Sequence, residues 1–154
     1  MPGSFFLDSN VVLYGFSGKE PQKQRIAREL SEAEGAWVST QVLSEVGTIL
    51  IRKFGVAVGE ARARVASIAS ACEVVILTPP LILDAFRIAE RYRIGLYDAQ
   101  IVSAALACGA TRLYSEDLHD GLGVDGLMIV SPFTTRAGEP PARYRARPRL
   151  RRAA

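Results

Sequence analysis

Short apolar runs, each followed by a longer stretch of helical periodicity, constrain this chain most. Phe5-Phe6-Leu7, Trp37-Val38-Ser39, Val74-Val75-Ile76-Leu77, Arg112-Leu113-Tyr114 and Leu127-Met128-Ile129-Val130 read as short, mostly buried strands. The segments between them read as helices. A brief one is predicted over 11–14, and Pro21 suits the first turn of another reaching about residue 34. Ser39 or Thr40 can cap a helix over 41–53, whose apolar side is Val42, Leu43, Val46, Ile49 and Leu50. Further helices are expected over 58–71, from Pro79 and Pro80 to a stop at Gly95, and over 96–108 with Gly109 just past the end. Strands alternating with helices in this way argue for an α/β domain with a mostly parallel central sheet.

Composition narrows the class. At 154 residues, 49% apolar and 23% charged, the chain fits one globular domain. No apolar run reaches the ~18 residues of a membrane span. The first ten residues lack the basic region and apolar core of a signal peptide. Cys72 and Cys108 form no CxxC pair, and His119 is the single histidine, so no zinc site can be written from them. Buried free thiols and a reducing cytoplasm are the expectation, with no membrane partner.

The net charge of +3 is uneven. Of 19 basic and 16 acidic residues, seven Arg and one Glu fall in 136–154, leaving 12 basic and 15 acidic in the rest. The expected organisation is a domain over 1–135 and a basic, Arg- and Pro-rich flexible tail over 136–154.

In open α/β sheets ligands bind beyond the carboxyl ends of the strands. Asp8 ends the first strand, Glu45 lies in the second turn of the helix after the second, and Asp117 follows Tyr114 by three residues. Asp98 lies in the first turn of its helix, with Ile101 and Val102 at i+3 and i+4, which predicts an inward carboxylate. Each acid alone has an ordinary reading: Asp8, Asn10 or Asp98 as a helix cap, Glu45 as a solvated residue, Asp117 as a helix start. Their convergence at one sheet edge argues for more. Buried carboxylates cost several kcal/mol unless paired or bound to metal. Arg52, Lys53, Arg87, Arg91 and Arg93 lie on helical stretches distant in sequence from all four acids. Four carboxylates would be balanced by two divalent cations, and oxygen-only ligation favours Mg²⁺ or Mn²⁺.

FFLDSNV at the start, STQVLSEV around Glu45, LYDAQIVSAAL around Asp98 and LYSEDLHDG around Asp117 together resemble the PIN-domain family. The closer similarity is to VapC-type toxins of bacterial toxin–antitoxin pairs, and it runs from about Phe5 to Phe133. The resemblance implies a three-layer α/β/α sandwich and an acidic quartet at Asp8, Glu45, Asp98 and Asp117. It implies supporting roles for Asn10 and Ser115, and a Mg²⁺- or Mn²⁺-dependent endoribonuclease leaving a 5′-phosphate and a 3′-hydroxyl. A cognate antitoxin over the acidic groove, a homodimer and an RNA substrate such as transfer RNA follow from the same likeness. Glu116 and Asp120 flank Asp117, but Asp117 holds the family position.

The residues suit that chemistry on their own terms. No Ser or Cys nucleophile with a partnered His is visible, so water activated by metal is the natural nucleophile. Asp8, Asp98 and Asp117 are expected as principal ligands, with Glu45 binding metal or positioning water, and one metal or two both fit. His119 is expected to be exposed, Trp37 to sit in the core beside its strand, and Tyr97 to be open to stacking on RNA. Rival readings are a PIN nuclease of RNA processing without an antitoxin, a non-catalytic module holding structural cations, and a phosphotransfer enzyme using Asp8. Haloacid-dehalogenase-like phosphatases disfavour the last, because this chain has Asn10 where they place a second Asp. The tail is either a phosphate-binding arm or a solvated extension.

Overall fold

A computed structural model describes residues 3–134. The chain orders as β1 (Phe5–Leu7), α1 (Ser9–Tyr14), α2 (Pro21–Glu32), β2 (Ala36–Ser39), α3 (Thr40–Arg52) and α4 (Val58–Ala71). Then follow β3 (Glu73–Val75), α5 (Pro79–Tyr92), α6 (Leu96–Ala107), β4 (Arg112–Tyr114), β5 (Gly123–Val124) and β6 (Leu127–Val130). The expected α/β/α layering holds. Helices α1 to α4 pack as one group and α5 with α6 as another, around a six-stranded sheet of order β3-β2-β1-β4-β6-β5. Every pairing is parallel except β5 with β6.

β1 is central because its three residues are apolar on both faces. Phe5, Phe6 and Leu7 are all buried, and the partners Ala36 and Leu113 are fully so. The Phe5 ring meets Tyr114 edge to face at 5.6 Å between centroids. Helices cover the sheet with the residues the periodicity selects: Ala27 and Leu30 from α2, Val42, Val46 and Leu50 from α3, Ile88 from α5. In α6 every residue from Ala99 to Ala105 is buried, so this helix has hardly any solvated side.

The differences from the sequence reading are local. β3 begins at Glu73 and ends at Val75, leaving Ile76 exposed past the sheet. α5 ends at Tyr92 with Arg93 as its left-handed C-cap, whereas Gly95 serves as the N-cap of α6. Gly109 sits at φ +72 beyond α6, where a Cβ would be strained. β5 is an added antiparallel edge strand, turned into β6 by Asp125 and Gly126, both at positive φ. Cys72 is buried, but Cys108 is only half-buried because it caps the exposed end of α6; both are free thiols. The division at residue 135 and the Arg-rich tail lie outside the described residues.

Candidate active site

Because β2 and β4 flank β1 on opposite sides, the chain leaves β1 in one direction and later returns on the other. The carboxyl end of β1 is therefore the switch point of the sheet, where an α/β fold opens a crevice. Asp8 stands there. Its backbone N–H still donates to Tyr114 O at 3.0 Å, and its side chain caps α1 by accepting from Ser9 N at 2.7 Å. The other carboxylate oxygen accepts from Ser115 Oγ at 2.8 Å and from Asn10 Nδ2 at 3.3 Å. Asp8 is 4% exposed. Burial pushes its carboxyl up to about 6; the Ser115 and Ser9 hydrogen bonds pull it down, and repulsion from Glu45 and Asp98 adds to the rise.

The other three acids surround this one. Glu45, half-buried on α3, accepts from Ser9 Oγ at 2.8 Å through Oε2 and from Gln41 Nε2 at 2.8 Å through Oε1. Asp117 follows β4 and accepts from Asn10 Nδ2 at 3.1 Å. Asn10 thus touches Asp8 and Asp117 with one amide nitrogen, while its Oδ1 accepts from Glu116 N at 3.1 Å. Ser115 is fully buried beneath them and also accepts from Leu118 N.

Asp98 departs from its expected inward orientation. It is solvent-exposed, although Ala99 and Gln100 beside it are buried. Helical periodicity gives direction around the axis of α6 and not how far its first turn is covered by the rest of the chain. Enough protein still flanks Asp98 for desolvation to raise its carboxyl, and repulsion from Glu45 and Asp117 raises it further.

Among the described residues no Lys or Arg forms an ion pair with any of these four acids. The neighbouring acids are engaged elsewhere. Glu116 pairs with Lys23 at 2.9 Å, and Asp120 accepts from Ser131 N at 3.0 Å. His119 is exposed, Trp37 packs half-buried against the core, and Tyr97 is 74% exposed. Sequence reasoning missed Ser9, Gln41 and Gln100 as parts of this network. The i,i+4 spacing of Gln41 and Glu45 was the available signal, but a polar residue on a helix ordinarily reads as solvated. Among the described residues no three or more Asp, Glu, His or Cys side chains are gathered into a cage for an ion. The acids are instead interleaved with neutral donors.

Solved structures share this architecture. A sarcin–ricin-loop-cleaving VapC toxin of Mycobacterium tuberculosis is 20% identical, with a TM-score of 0.60 over 74% of this chain and 90% of that one. A toxin–antitoxin complex from Klebsiella pneumoniae is 20% identical, with a TM-score of 0.64 over 86% and 100%. The DNA-bound VapBC of Salmonella typhimurium is 19% identical, with a TM-score of 0.63 over 84% and 98%. At such identities the likeness is one of fold. No curated protein matches the sequence significantly. The PIN domain model matches residues 5–119, a span that contains β1 to β4 and all four acids. The chain therefore belongs to the PIN-domain family.

Proposed function

We propose that this protein is a Mg²⁺- or Mn²⁺-dependent endoribonuclease of the VapC type, the toxin of a cytoplasmic toxin–antitoxin pair. The observation that carries the reading is Asp8: a buried carboxylate with no ion-paired Lys or Arg among the described residues, grouped with three further acids at the switch point of the sheet. Such a group calls for positive charge from outside the chain.

The donor set fits a hard dication. Every candidate ligand is a carboxylate oxygen, and the spaces between them hold hydroxyl and amide groups, with no thiolate or imidazole ligand. An interleaved arrangement suits Mg²⁺, which keeps several waters and shares its coordination with substrate phosphates more often than it enters an all-protein cage. Asp8, Asp98 and Asp117 are the principal ligands in this account, and Glu45 completes the set. When bound, the dication lowers the pKa of attacking water and neutralises charge on the phosphodiester. The chain's own residues prepare that event. Ser115 and Ser9 N fix the Asp8 carboxylate in one orientation, and Asn10 holds Asp8 and Asp117 together. Hydrolysis at the P–O3′ bond would leave a 5′-phosphate and a 3′-hydroxyl.

The similar structures support the partners. One is a toxin that cleaves the sarcin–ricin loop, and others are complexes of toxin with antitoxin. An RNA substrate and a cognate antitoxin covering the acidic crevice are proposed on that basis, and a homodimer on the resemblance to VapC-type toxins alone. The same proposal divides the chain into a nuclease domain over 1–135 and a basic tail over 136–154.

Purified full-length chain, incubated with Mn²⁺ or Mg²⁺ and structured RNA, tests the activity. Cleavage that disappears with chelator and in Asp8→Asn, with 5′-phosphate ends on the products, is the expected result. Cutting that survives both would place the chemistry elsewhere.

A further inference from the structure

One amide at the site is committed on every side. Gln41, in the first turn of α3, donates from Nε2 to Glu45 Oε1 at 2.8 Å and to the Tyr97 carbonyl at 3.1 Å. Its Oε1 accepts from Gln100 Nε2 at 3.0 Å. The orientation of the amide is fixed by chemistry, because a carboxylate and a backbone carbonyl can only accept. Gln100 is 7% exposed within the buried run of α6, so the far end of the chain of bonds is anchored in the core. Tyr97 immediately precedes Asp98. The Gln41 amide therefore spans from the Glu45 carboxylate on α3 to the turn of α6 that carries Asp98.

We infer that Gln41 is a positioning residue, a neutral clamp that holds Glu45 at its working distance from Asp98; this rests on the ribonuclease reading above. Glu45 and Asp98 are like charges on two different helices at one crevice, and the Gln41 bonds tie those helices together against their mutual repulsion. A Lys or Arg could also hold them, but its charge would take the place of the dication. An amide supplies the hydrogen bonds and leaves the negative charge free. With Ser9 Oγ on Oε2 and Gln41 on Oε1, Glu45 is gripped through both oxygens by neutral donors. Hydrogen-bonding partners that orient ligands without touching the ion ordinarily change affinity or turnover by about 10- to 100-fold.

The test uses the full-length chain. Mn²⁺ alone is titrated into metal-free protein by calorimetry, thermal unfolding is followed in chelator, and cleavage kinetics are measured on an RNA that wild type cuts. Gln41→Met keeps the length but not the hydrogen bonds. It should weaken Mn²⁺ binding about 10-fold and lower kcat about 10-fold or more, with KM for RNA within about two-fold of wild type. Gln41→Lys should melt higher than wild type in chelator while binding Mn²⁺ more weakly, opposite movements that a purely structural role does not produce. Gln100→Met should act in the same direction as Gln41→Met and less than additively with it, which keeps the inference testable if Gln41→Met does not fold. Wild-type Mn²⁺ affinity and kcat in Gln41→Met, or affinity and melting temperature falling together in Gln41→Lys, overturn the clamp alone. Wild-type protein that neither binds Mn²⁺ nor cuts RNA overturns the ribonuclease reading and the clamp with it.

Discussion

The Ser115 hydroxyl donates to the Asp8 carboxylate at 2.8 Å across a sequence separation of 107 residues, joining the ends of two neighbouring parallel strands. The bond does two things at once. It satisfies an oxygen that burial has cut off from water, and it pulls the Asp8 carboxyl down against the larger effect of desolvation. Ser115→Ala should therefore raise that carboxyl further. We expect the acid limb of the pH–rate profile to move to higher pH, turnover at pH 6.5 to fall about 10-fold, and stability to drop by about 1 kcal/mol. An acid limb unmoved by the substitution would show that Asp8 does not titrate in the profile.

Burial of Asp8 also has a cost that metal-free protein should reveal. Its carboxyl sits at about 6 in the fold against an ordinary value of 3.8, so the folded chain holds the proton more tightly than the unfolded one. The resulting stabilisation is complete below about pH 3.8 and lost as pH rises through about 6. Asp8→Asn removes the ionisation. In chelator at pH 7.5 the variant should be more stable than wild type by about 1–3 kcal/mol, with the gap closing below pH 4. Chemical unfolding at the two pH values checks this; a variant less stable than wild type at pH 7.5 would contradict it.

Metal should reverse that penalty in wild type. A dication at about 100 times its Kd adds about 2.7 kcal/mol to the folded state. Protons compete for the same carboxylates, so the rise in melting temperature should shrink as pH falls through about 6. The increment should be lost in Asp98→Asn at every pH. A metal-induced shift that is equal in wild type and Asp98→Asn would remove Asp98 from the ligand set.

The seven arginines of 136–154 offer a separate test. If this stretch is a phosphate-binding arm, its deletion should weaken RNA binding at low salt and flatten the dependence of affinity on salt. Metal binding and the position of the cut should not change, because contacts to phosphate carry no sequence information. Unchanged low-salt affinity would assign the tail to solvent.

Much of this arrangement was legible in the residues because strands buried on both faces leave continuous apolar runs. β1 is such a run throughout, while β4 is buried only at Leu113 and Tyr114 and β6 leaves Met128 exposed; the positions of Asp8 and Asp117 follow from where β1 and β4 stop. β5 has only two residues and no run to read, although the Asp125-Gly126 pair is the signature of a tight hairpin. Asp98 lies close enough to Glu45 and Asp117 to feel their charge, but it is exposed where an inward carboxylate was expected, since a period of 3.6 gives direction around an axis and not how far each turn is covered. Ser9, Gln41 and Gln100 were passed over for another reason, with the Gln41–Glu45 spacing as the one faint signal. Their importance lies in partners brought from other elements, and nothing in a single helix distinguishes such a residue from a solvated one.

The central claim is that these acids cut RNA with the help of a dication. Sequencing of RNA 5′ ends after controlled expression of wild type and Asp98→Asn at equal soluble levels tests it most directly. The account predicts discrete cut sites bearing 5′-phosphates in wild type and their loss in the variant. The same cut sites at the same frequency in Asp98→Asn, or no cut sites with either, would contradict it.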